Sequence, residues 1–104
     1  MIQNELKQDI CNAILHTTPA ESITIFGSFA RNEEREDSDI DLCVVTNENK
    51  KTIEIMTNLR LALSKVIDKP LDLVVYPKKI FENRLRTGFS FETTISKEGI
   101  RIYG

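Results

Sequence analysis

Histidine is almost missing from this sequence: His16 is its one representative in 104 residues, and tryptophan does not occur. A single imidazole excludes zinc hydrolase sites built on several histidines and argues against triads that use a histidine base. Cysteine is nearly as scarce, and Cys11 and Cys43 lie too far apart in the chain for the paired spacing of zinc or thioredoxin-like sites, so both read as small core residues. No sign of charge dominates. Fourteen basic against 16 acidic residues give a formal net charge of −2, without the broad attraction to a phosphate backbone that direct nucleic-acid binding draws on. No apolar run nears the roughly 20 residues that cross a bilayer, so a membrane helix is not expected. The stretch MIQNELKQDI has acids and amides where an export signal has a basic patch and an apolar core, which sets the expected location as the cytoplasm. Any catalysis must then run on carboxylates, hydroxyls or cations.

What remains is a globular composition, 40% hydrophobic and 29% charged, in a chain of one domain's length, and residues 1–104 are read as a single domain. Leu6, Ile10, Ala13 and Ile14 recur at helical spacing and stop near Thr17, Thr18 and Pro19. SITIF at 22–26 reads as a strand ending at Gly27, and DIDLCVV at 39–45 as a second. Ile53, Met56, Leu59, Leu63, Val66 and Ile67 then form a helical stripe over about 49–67, which Asp68, Lys69 and Pro70 break. LDLVVY at 71–76 is a third strand, followed by short helices to about Arg86 and over 89–97, and a last extended piece at 100–103. Helices separating short strands predict an α+β sandwich: a small mixed sheet with helices packed on one face. The charged stretch NEEREDS at 32–38 reads as a solvated surface loop.

Three acids break this pattern of buried strands. Asp39 and Asp41, two apart in one strand, point to one face with backbones roughly 7 Å apart, while Ile40 and Leu42 point into the core. Asp72, between Leu71 and Leu73, repeats the arrangement in the third strand. At about 5 Å and an effective dielectric near 20, each pair of carboxylates repels by roughly 3 kcal/mol, a large part of the 5–15 kcal/mol that holds a typical domain together. Such a cluster calls for a cation, and magnesium, which takes one or two carboxylates plus substrate phosphates, suits it better than zinc or iron. Taken singly, Asp39 beside Ser38 reads equally as a turn cap and Asp72 as a salt-bridge partner of Lys69. Asp41 is harder to dismiss, because an unpaired acid between Ile40 and Leu42, well inside a strand, is costly. Gly27-Ser28 alone is an ordinary turn; beside the acids it offers close backbone approach and donors for phosphate oxygens.

Gly27-Ser28, a ten-residue spacer, Asp39-Ile40-Asp41-Leu42 in a strand and Asp72 in a later strand together resemble the signature of the polymerase-beta-like nucleotidyltransferase superfamily. More narrowly, GSFARNEEREDSDIDL resembles the minimal nucleotidyltransferases of prokaryotes, often encoded beside a HEPN-type protein as the antitoxin of a toxin-antitoxin pair. The resemblance spans nearly the whole chain. It implies the polymerase-beta-like fold, a triphosphate held by Gly27 and Ser28, magnesium (two ions) ligated by Asp39, Asp41 and Asp72, and Asp72 helping to deprotonate the attacking hydroxyl. Arg31 matches a basic position of the motif and would touch phosphate, or else pair with nearby glutamates. Asn32 departs from the pattern, standing where glycine is usual; asparagine tolerates left-handed backbone better than most residues. The implied reaction transfers AMP from ATP to a hydroxyl, a tyrosine of the HEPN-type toxin, through metal ions about 3.5–4 Å apart that stabilise the attacking and leaving oxygens.

Two other readings stand beside it: a binding module that neutralises its partner by contact, and a nucleotidyltransferase acting on a small molecule such as an aminoglycoside. An oligomer is consistent with so small a domain. In the C-terminal FSFETTISKEGIRIYG, the residues Phe89, Phe91, Ile95, Ile100 and Ile102 read either as a partner-docking surface or as the end of the core, and the core is the expectation.

Overall fold

The chain alternates elements in the order anticipated, and the computed structural model describes residues 2–104 of it. Helix α1 (Asn4–Thr17) is followed by strands β1 (Ala20–Phe26) and β2 (Ile40–Thr46), helix α2 (Thr52–Leu63), strand β3 (Leu71–Pro77), helices α3 (Lys78–Arg86) and α4 (Ser90–Glu98), and strand β4 (Ile100–Tyr103). Pro19 explains the end of α1: the residue before a proline is driven out of helical geometry, and Thr18 is extended at ψ 144°. The helical stripe expected to reach residue 67 is regular only to Leu63. Beyond it the winding tightens, with Lys65 and Val66 donating to carbonyls three residues back, and this delivers Ile67 into the core.

The four strands form one mixed sheet in the order β3-β2-β1-β4. β1 runs antiparallel to β2 and to β4, whereas β2 and β3 are parallel and joined through α2. The interior strand β2 is buried at every position but Asp41. Its even-numbered residues Ile40, Leu42 and Val44 meet Ile10 and Ile14 of α1 and Ile55, Leu59 and Leu63 of α2 in the main core. Burying a side chain of this size stabilises by about 1.5–3 kcal/mol, so this layer fixes the register of the strand and with it the direction of every odd-numbered residue.

The expected covering of one face is therefore present, made by α1 and α2, and the structure adds to it. The opposite face carries a second, smaller cluster in which Cys43 and Val45 of β2 meet Phe81 of α3 and Ile95 of α4. The physical reason is the composition of β2, whose odd positions Cys43 and Val45 are also apolar and need cover. Cys43 is buried and Cys11 partly so, as small core residues should be, and burial pushes the Cys43 thiol up to about 12. Ile95 is buried, but Phe89 and Phe91 are 52% and 47% exposed, which corrects their assignment to the core. The turn into α4 leaves both rings beyond the edge of the small cluster.

Candidate active site

Sheet pairing assembles the site. Asp41 faces Asp72 across the parallel β2–β3 ladder and Phe26 across the antiparallel β1–β2 ladder, so a row of Asp72, Asp41 and Phe26 crosses one end of the sheet. All three lie on the α3/α4 side, because side chains opposite one another in a ladder share a face. Asp39 sits just ahead of β2, exposed, and close enough to act electrostatically on Asp41.

Asp41 is half-buried at the centre of this row. Its carboxyl pKa is raised to about 6, first by burial, then by the negative charges of Asp72 and Asp39 and by a hydrogen bond with Asp72, while Arg31 pulls in the other direction. The alternative partner for Asp72 is occupied elsewhere: Lys69 donates from Nζ to the carbonyl of Glu36 at 3.0 Å. The alternative of Asp39 and Ser38 as a turn cap is met in part, since the Ser38 hydroxyl accepts from the amide of Arg35.

Gly27 follows Phe26 directly and closes the row from above. Its φ is +73°, and a Cβ there would fall 2.0 Å from Oδ2 of Asp41, so both the backbone conformation and the carboxylate demand glycine. The chain then makes one helical turn. The Gly27 carbonyl accepts from the amides of Ala30 and Arg31 at 3.1 Å, and Phe29 is buried in the main core as the anchor of the turn. Amides at the start of such a turn have no acceptor within it, which suits Ser28 to an anion. Asn32 ends the turn at φ 59°, the left-handed conformation that its side chain tolerates, so the turn forms without the usual glycine. The Arg31 guanidinium lies against Glu33 at the surface while remaining within electrostatic reach of Asp41 and Glu98.

Among the described residues no three histidine, cysteine, aspartate or glutamate side chains close into a group able to hold a metal unaided. The carboxylates instead form an open, one-sided set of hard oxygens whose repulsion raises the pKa of the central acid. That donor chemistry fits magnesium, which is commonly held by one or two carboxylates and completes its shell with water and phosphate.

Behind the row, features that the sequence did not disclose hold α4 to the sheet. Glu92, 2% exposed, accepts a hydrogen bond of 2.5 Å from the Tyr76 hydroxyl of β3 and lies 4.0 Å from Arg84 of α3. Arg84 in turn stands over the ring of Phe89 at 4.9 Å, and Phe91 meets Phe26 at right angles with ring centres 5.7 Å apart. A buried acid in a polar-looking helix, SFETTISKE, gives no sequence signal until its partners are known.

The model of the family described as polymerase beta, nucleotidyltransferase matches residues 8–104. "Putative protein adenylyltransferase MJ0435" of Methanocaldococcus jannaschii is 38% identical over 73 residues, which cover 70% of this chain and 76% of that protein. A crystal structure of a toxin-antitoxin with AMP-PNP superposes with a TM-score of 0.71 at 22% identity, over 94% of this chain and 73% of the other, a likeness of fold. A structure described as a "putative minimal nucleotidyltransferase" gives a TM-score of 0.64 at 25% identity, over 90% and 86% of the two chains. No helix among the described residues is long and apolar enough to cross a membrane.

Proposed function

The chain belongs to the polymerase beta nucleotidyltransferase family and is a nucleotidyltransferase, and from that premise we propose that it moves AMP from ATP to a tyrosine hydroxyl of a HEPN-type toxin, acting as the antitoxin of the pair in the cytoplasm. The observation that carries the reading is the position of Asp41: a strand acid held between Asp72 and Gly27, next to a helical turn in which the Gly27 carbonyl accepts from Ala30 and Arg31. The naming of a sequence relative as a protein adenylyltransferase, and of a structural neighbour as a toxin-antitoxin with AMP-PNP, supports the choice of donor and partner.

In this reading Gly27 and Ser28 receive the triphosphate, with Arg31 swinging from Glu33 to a phosphate oxygen. Asp39, Asp41 and Asp72 would hold magnesium, which supplies positive charge to the triphosphate and to the departing pyrophosphate. Asp72, at the exposed end of the row, takes the proton of the acceptor hydroxyl. The bond formed joins the acceptor oxygen to the α phosphorus, the bond broken joins that phosphorus to the bridging oxygen, and pyrophosphate leaves with the electron pair. The open side of the acid row is left for the partner's tyrosine, so the acceptor arrives from the Asp72 end and the nucleotide from the Gly27 end.

The test is transfer of label from ATP, with magnesium, to the product of the neighbouring gene, comparing the protein with its Asp39→Asn, Asp41→Asn double variant. Label on the partner with the unaltered protein alone is the expected result. Equal labelling by both would remove the acids from the reaction, and silencing of the partner without label would leave a module that works by contact.

A further inference from the structure

We infer that the half-exposed ring of Phe91, braced on Phe26, is the platform on which the base of the nucleoside triphosphate stacks, an assignment that rests on reading Gly27, Ser28 and Asp41 as the triphosphate site. Phe26 stands opposite Asp41 in the β1–β2 ladder and shares its face, so the first side chain beyond the central acid on the Gly27 side is an aromatic ring. Phe91 meets that ring at 87° with centres 5.7 Å apart, yet keeps 47% of its surface open. A ring held at the rim of a polar site offers a flat apolar face on which a base can stack.

The neighbouring ring of Phe89 is as exposed, at 52%, but one of its faces is taken by a cation. Phe89 lies under the Arg84 guanidinium at 4.9 Å, and Arg84 is held 4.0 Å from buried Glu92, which also accepts the Tyr76 hydroxyl. These contacts fix the start of α4 against the sheet and so fix the position of Phe91 before any ligand arrives. The order of the row decides between occupants. Asp72 marks one end, where the acceptor hydroxyl loses its proton; Phe26 and Gly27 mark the other, where the phosphates enter. The platform is on the donor side, which favours the nucleotide base over the aromatic ring of an acceptor tyrosine. Every base has a π face, so stacking of this kind discriminates weakly among bases and favours the larger purines.

Binding of a non-hydrolysable ATP analogue and of inorganic triphosphate, both with magnesium, separates the base contact from the phosphate contacts. Phe91→Ala and the bulk-conserving Phe91→Leu should each weaken the analogue by about 5- to 100-fold and leave triphosphate affinity unchanged, while Phe91→Trp keeps or tightens the analogue. Thermal unfolding of each variant establishes that it is folded. Undiminished binding of the analogue by Phe91→Ala overturns the platform and leaves the triphosphate reading intact. Equal weakening of both ligands also overturns it, because the substitution has then disturbed the phosphate site rather than a base contact. Triphosphate binding unaffected by Asp41→Asn instead sinks the underlying reading, and the platform with it.

Discussion

Gly27 and Asp41 are in such close apposition that a Cβ on the glycine would lie 2.0 Å from the carboxylate oxygen and 2.9 Å from its carbon. Glycine here therefore does two jobs, adopting φ +73° and leaving room for the acid. Gly27→Ala should cost about 1–2 kcal/mol from the left-handed backbone, a loss that most domains survive. The short aspartate side chain must also rotate away from the methyl group, and a displacement near 1 Å at a reacting centre lowers rates by about 100-fold. Chemical denaturation beside a label-transfer assay should show a folded protein with nearly all activity gone. Retained activity would mean that Asp41 works from another rotamer.

The raised pKa of Asp41 has a consequence for stability. Its value in the folded state is about 6, well above the usual aspartate value of 3.8, so the native state holds a proton that the unfolded chain releases. The contribution is fully present below about pH 4 and is lost as the pH rises through about 6. In the absence of divalent cations, melting temperature should fall across that window in the wild type and change less in Asp41→Asn, which has no carboxyl to titrate there. At pH 8 the variant should melt higher. Because Asp41 is partly open to solvent, the gain is held to about 1 kcal/mol, an upper bound of roughly 4–8 °C in a domain of this size. The same substitution is expected to abolish transfer, so stability and activity move in opposite directions. A variant that melts lower than the wild type at pH 8 would contradict the repulsion argument.

Much of this was legible in the residues because the signals were periodic or confined to short motifs. The stripes Ile10, Ile14 and Ile55, Leu59, Leu63 face the core as helical spacing required, and the alternation of Ile40, Asp41 and Leu42 set the acid on the opposite face. Pairing of Asp41 with Asp72 could be proposed from like patterns in two strands, but the register that joins them is a property of the sheet. The second helical layer was not legible: α3 has one buried apolar residue, Phe81, and α4 has Ile95 beside the acid Glu92, too little for an apolar stripe to stand out. Phe89 and Phe91 misled for the same reason, since hydrophobicity alone places aromatic rings inside and only the packing shows that these two stay at the rim.

Asn32 offers a test of how the turn copes without glycine. Its φ of 59° is open to asparagine and glycine but strained for residues with ordinary side chains. Asn32→Gly should change stability by less than about 0.5 kcal/mol, whereas Asn32→Ala should cost about 1–2 kcal/mol. Urea unfolding midpoints distinguish the two. Equal costs would show that the asparagine side chain, rather than its backbone conformation, matters at this position.

The Tyr76–Glu92 pair is the polar pin between the sheet and α4, and its energetics are decided by asymmetry. Glu92 is 2% exposed, one oxygen accepts the Tyr76 hydroxyl, and the other is buried without a hydrogen-bond partner. Removing the donor by Tyr76→Phe leaves a buried acid with less compensation, which costs about 1.5–3 kcal/mol; removing the acid as well, in Tyr76→Phe with Glu92→Leu, should recover most of that loss because both polar groups are then gone. Burial, followed by Glu92, also raises the pKa of the Tyr76 phenol, so ultraviolet titration should find one tyrosine that resists ionisation above pH 10 in the wild type and lose that signature in Tyr76→Phe. The two measurements separate a stabilising pin from a bystander. If the double variant is no more stable than the single one, the pair is coupled to something besides each other, and Arg84, 4.0 Å from the same carboxylate, is the group to substitute next.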